Sequence, residues 1–148
     1  MYVYDPITLS LWSEIEQTLN QGESSPVYID SMFNGMEQFD LGNFQYSVVY
    51  LAVACEAFMR TRVVQNLPDN LSKTVIKYID EVNISQVIDH LFKETLSDEQ
   101  KNHLKTINSR LHELFIARNT IMHSGQKEDL KSADCKRFIE VSKKLIEI

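Results

Sequence analysis

The stretch IARNTIMHSG, Ile116 to Gly125, gathers three side chains that suit chemistry on an anion. Arg118 offers a rigid fork of donors that can clamp an oxyanion. His123 can take up or release a proton near neutral pH. Asn119, next to the arginine, can orient either the anion or the histidine. A helix that only packs needs none of these at these places.

The placement of Arg118 is the informative feature. Leu104, Ile107, Leu111 and Leu114 step by three and four, and the series continues to Arg118 and Ile121. Arg118 therefore occupies an apolar seam, where an unpaired charge is expensive. A plain reading is an arginine whose stem packs and whose head reaches water; the others are a buried ion pair and a site. Asn119 and His123, four apart, share a helix face. Arg118 and His123, five apart, lie about 140° from each other on an ideal helix. They can still reach one small cleft, because the arginine is long and His123 ends the helix. A histidine at a helix C-terminus can also simply offset the dipole.

Two further residues bear on this stretch. Glu56 is the single charge in SVVYLAVACEAFM, Ser47 to Met59. Pairing with Arg118 or Arg60 would relieve it, and so would a place on a solvent-facing side. His112 lies on a stripe with Asn119 and is either a wall of the same cleft or an exposed histidine.

The order Arg, Asn, three residues, His resembles the R-x(4–6)-H signature of HEPN domains. It stands near the end of a late long helix, as in that family. LHELFIA before it, SG after it, and VVYLAVACEAFMR (Val48 to Arg60) are similar to HEPN sequences too. The resemblance implies a helical bundle that forms a homodimer with its motif helices facing each other. Many HEPN proteins are metal-independent endoribonucleases of toxin–antitoxin, abortive-infection and CRISPR defence systems; others are non-catalytic modules. For this chain it implies Arg118, Asn119 and His123 as the catalytic set, with Glu56 and His112 in support. RNA is then the expected substrate, and an antitoxin or other regulatory protein an expected partner. In the alternative, the module binds RNA, a nucleotide or a partner protein without cutting; a third reading is an unrelated helical scaffold. Toxins paired with nucleotidyltransferase antitoxins carry a Tyr two residues after the His. Gly125 stands there, so control by modification of that Tyr is not expected.

The elements that must position these residues can be read along the chain. Asp5-Pro6 predicts a helix start, with Ile7, Leu11, Trp12, Ile15 and Leu19 on its face. Tyr28 to Gly42 is ambiguous, because Gly35 interrupts a helical spacing of Met32, Phe33, Met36 and Phe39. Asn43 to Gln65 predicts a long helix, apolar nearly all round and buried by several neighbours. Leu71 to Asp80, and a segment from NISQ (Asn83 to Gln86) to Phe92, predict short helices. SDEQ, Ser97 to Gln100, is a capping-box pattern opening a helix to about His123, with Gly125 as its C-cap. A last helix turns Leu130, Phe138, Val141, Leu145 and Ile148 inward. The expectation is one all-α domain over residues 1–148, a bundle of about five or six helices.

Composition limits the function. The chain has 148 residues and a net charge of −6, which argues against broad electrostatic binding of nucleic acid and leaves room only for a local basic site. There is no H-E-x-x-H, Walker, G-x-S-x-G or zinc pattern, so no metal or nucleotide cofactor is expected. Cys55 and Cys135 read as free, packed thiols in a reducing cytoplasm. The longest apolar run is too short to span a bilayer, so no membrane partner is expected.

Overall fold

The computed structural model describes residues 25–148, together with Ser13 and Gln17. Among them the chain is all-α: α1 (Val27–Asp40), α2 (Phe44–Gln65), α3 (Lys73–Glu81), α4 (Ile84–Gln86) running on into a π-helical segment (Val87–Phe92), α5 (Asp98–Ser124) and α6 (Ser132–Ile146). No strand occurs among the described residues. Apart from Ser13 and Gln17, the helix predicted after Asp5 lies outside them.

The central element is α2. Val48, Leu51, Ala52, Ala54, Cys55, Phe58, Met59 and Val63 are all buried, on most sides of its axis. Its small residues let neighbouring helices come close. Phe58 sits edge-on to Tyr28 of α1 (5.3 Å between centroids) and to Phe92 of the π-helical segment (6.1 Å). The thiol of Cys55 donates to Ser142 Oγ of α6 at 3.3 Å, and Ser142 Oγ donates to the Phe138 carbonyl at 2.7 Å. These two buried polar side chains are therefore satisfied inside the core.

The ambiguous segment is a continuous helix, and Gly35 is the reason it packs. A Cβ there would meet Leu51 Cγ and Cδ2 at 3.0 Å. The missing side chain lets α1 lie close against α2, and Ser47 Oγ donates across that contact to the Gly35 carbonyl at 2.7 Å. The local penalty of glycine in a helix is outweighed by this close approach.

The helix carrying Arg118 begins and ends where its cap residues stand. Ser97 Oγ accepts from Gln100 N at 3.3 Å, and Gln100 Oε1 accepts from Ser97 N at 2.9 Å. At the other end Gly125 takes φ +78°, and its N–H donates to the Ile121 carbonyl at 2.8 Å. Leu104, Ile107, Leu111, Leu114 and Ile121 are buried along the seam between.

Candidate functional site

Two long-range contacts set α5 against α2. Gln45, in the first turn of α2, accepts from Lys127 N and donates to the Lys127 carbonyl, both at 3.0 Å. Eleven residues on, Glu56 Oε2 accepts from Arg118 Nη2 at 3.4 Å. As the α2 number rises the α5 number falls, so the helices are antiparallel and the motif-bearing end of α5 lies beside the first half of α2.

Arg118 occupies its seam position in a particular way. Its side chain retains 24% exposure. The guanidinium carbon lies 5.6 Å from the centre of the Phe115 ring, one turn back. Nε is buried and has no hydrogen-bond partner among the described residues. Its contact with Glu56 is long. Among the described residues one of its five N–H donors is used, and weakly, so the guanidinium is anchored at a corner while part of the side chain still reaches solvent.

Glu56 belongs chiefly to Arg60. Arg60 Nε and Nη2 donate to Glu56 Oε1 at 2.9 and 2.7 Å. The same guanidinium donates to the carbonyl of Ile79 at 2.5 Å and to that of Val82 at 2.8 Å, at the end of α3. Arg60 thereby ties α3 to α2 and holds Glu56 in place for Arg118. With two arginines on one carboxylate, the cluster keeps one positive charge, the local basic feature that the acidic total conceals.

Asn119 and His123 are exposed and form no side-chain hydrogen bond or ion pair with a described residue. The last turn that carries them is pinned by hydroxyls. Thr120 Oγ1 donates to the Ile116 carbonyl at 3.0 Å, and Ser124 Oγ reaches the carbonyls of Thr120 (2.6 Å) and Gln126 (2.8 Å). His123 is thus fixed at its backbone and free at its ring. His112 turns elsewhere: its Nε2 lies 3.5 Å from Asp89 Oδ1 of the π-helical segment. The structure therefore brings together Arg118 and Glu56, sets Asn119 and His123 on the adjoining surface, and gives His112 a partner outside it.

Helical phase shows which surface that is. At about 100° per residue, Asn119, Met122 and His123 lie on one flank of α5 as counted from Arg118. Tyr46, Tyr50 and Val53 lie on the flank of α2 turned the same way from Glu56. In an antiparallel pair these flanks open on one side, and all six residues are exposed there. Sequence reasoning missed the contributions of Tyr46, Tyr50, Gln45 and Arg60's two carbonyl contacts. Only the break of polarity at Tyr46 and Tyr50, one turn apart on an apolar helix, could have pointed to the first two.

Among the described residues no group of three or more His, Cys, Asp or Glu side chains could hold a metal ion, and no helix is long and apolar enough to cross a membrane. No family model, curated protein or solved structure matches the chain.

Proposed function

We propose that this protein is a metal-independent endoribonuclease of HEPN type, a toxin or defence component. The observation that supports this reading is Arg118: a guanidinium held at one corner by a long contact with Glu56 and still 24% exposed, next to exposed Asn119 and His123. Nε itself is closed to solvent, so a phosphate would be met by the part of the side chain that stays exposed.

In the proposed reaction the ribose 2′-oxygen attacks the adjacent phosphorus and the bond to the 5′-oxygen breaks. One proton leaves the 2′-hydroxyl and one reaches the departing 5′-oxygen. The products are a 2′,3′-cyclic phosphate and a 5′-hydroxyl end. His123 carries the proton transfer, Arg118 stabilises charge on the phosphate, and Asn119 positions it. Two copies joined with their α5 helices facing each other would put two such sets in one cleft and double its positive charge. Ile116 and Met122, both exposed on α5, supply apolar surface for that contact.

A second reading is a non-catalytic module of the same type, binding RNA, a nucleotide or a partner protein. The net charge of −6 favours it, as does a His123 ring that no described residue orients.

Incubation of the purified protein with RNA in chelator separates the two. Cleavage to cyclic-phosphate ends, lost in both Arg118→Ala and His123→Ala, supports the nuclease. Binding without cleavage of any RNA supports the module, and the absence of both overturns the HEPN reading of this surface.

A further inference from the structure

We propose that Tyr46 and Tyr50 form a stacking platform for the bases of a single-stranded RNA whose phosphate sits at Arg118. The inference rests on the ribonuclease reading and names how that site would hold its substrate. Tyr46 is 65% exposed and Tyr50 38%, on a helix that buries nine other residues. Neither hydroxyl makes a hydrogen bond with a described residue, so neither ring is retained to satisfy the core. One helical turn separates them, about 6 Å along the axis. Both lie on the side of the α2–α5 pair where Asn119 and His123 emerge. Tyr50 is about 9 Å and Tyr46 about 15 Å along α2 from Glu56.

The chemistry of this side is two-part. Arg60 and Arg118 share the charge of Glu56 and leave one positive charge between the helices. Beside it stand flat, amphipathic rings. Single-stranded nucleic acid has the complementary parts, a phosphate for the cation and a base face for each ring. Stacking tolerates any base, so it supplies affinity where a chain of net charge −6 has little long-range attraction to offer. An apolar partner surface, a second copy included, is the competing occupant.

The test is fluorescence anisotropy with a labelled single-stranded RNA oligonucleotide in a His123→Ala background, alongside wild-type cleavage of the same RNA. Each of Tyr46→Ala and Tyr50→Ala is expected to weaken binding roughly tenfold, while each Tyr→Phe change keeps the affinity. An oligonucleotide with abasic positions should bind as weakly to the tyrosine protein as to the double alanine variant. If the wild type cuts RNA but the alanine variants bind undiminished, the platform is wrong and the nuclease stands. If the wild type neither binds nor cuts RNA, both fall. If alanine or phenylalanine at these positions changes the mass measured by light scattering, the face is an interface between copies and the platform is overturned.

Discussion

Arg118 Nη2 stands 3.4 Å from Glu56 Oε2, at the long edge of hydrogen bonding, while the other oxygen of the same carboxylate is gripped by Arg60 at 2.7 and 2.9 Å. The carboxylate is shared unequally. Arg60 is a structural arginine with four acceptor contacts on two elements; Arg118 is aligned by the pair but not saturated by it. The proposed nuclease would need its arginine placed yet available, and an unequally shared carboxylate is compatible with both.

The division of labour predicts opposite rankings for stability and for activity. Arg60→Met removes the contacts to Glu56, Ile79 and Val82 and is expected to destabilise by about 2–4 kcal/mol, since it strands buried acceptors. Arg118→Met removes one long bond and an orphaned donor, and is expected to change stability by less than about 1 kcal/mol. Urea melts give the stability order. On the nuclease reading, RNA cleavage should be abolished by the Arg118 change and reduced less by the Arg60 change, which leaves Arg118 present but its carboxylate partner unheld.

Glu56→Gln keeps the size of the side chain and takes away its charge. Arg118 and Arg60 then share a neutral amide with a single oxygen acceptor, and both part-buried guanidiniums lose their counter-charge. The expected result is a loss of about 1–2 kcal/mol in stability together with at least a tenfold fall in cleavage. Full activity in this variant, measured at a temperature where it is folded, would show that Arg118 needs no charged partner.

The two thiols give a pH dependence of known sign. Burial pushes both Cys55 and Cys135 from their ordinary value near 9 up to about 12. Between those values the unfolded chain loses thiol protons that the folded chain keeps, so folding stability falls as pH rises. Each thiol is expected to remove roughly 1 kcal/mol per pH unit across that window. Thermal melts from pH 8 to 11 measure it, and a Cys55→Ala, Cys135→Ala chain should show a shallower decline. At neutral pH neither thiol should react with iodoacetamide until the protein unfolds.

Gly35 and Gly125 should fail for different reasons when changed to alanine. At Gly125 a Cβ meets nothing within 4 Å, so the whole cost is the left-handed backbone, about 1–2 kcal/mol. Asn should recover part of it. At Gly35 the Cβ strikes Leu51 at 3.0 Å, and α1 must shift. Its loss should be partly recovered by Leu51→Ala on the facing helix, a coupling that Gly125→Ala should not show.

Local signals were sufficient wherever an element is defined by its own ends. The Ser97–Gln100 capping box, the glycine at 125 and the 22 residues of α2 follow from neighbouring side chains and are readable in order. Gly35 was ambiguous because its merit lies in Leu51, a residue on another helix. The π-helical turn at Val87–Phe92 carries no signature of its own, since its extra residue per turn is accommodated by packing of Val87, Ile88 and Phe92. In the site, the spacing of Arg118, Asn119 and His123 was visible and so was the oddity of Glu56. The carbonyls that capture Arg60, the Asp89 that takes His112, and the tyrosines across the groove come from distant segments. Nothing in the local sequence announces which side chains a fold will bring opposite one another.

The clamp between Gln45 and Lys127 imposes a lopsided tolerance. Gln45 uses its side-chain amide as a substitute peptide group, while Lys127 contributes only main-chain atoms. Position 127 is therefore open to nearly any residue with an N–H, and only proline would be refused there. Position 45 is bound to one side-chain length, because asparagine falls a methylene short and glutamate has no N–H to give. A single amide thus acts as the splint that keeps the end of the motif helix in register with the central helix beside it.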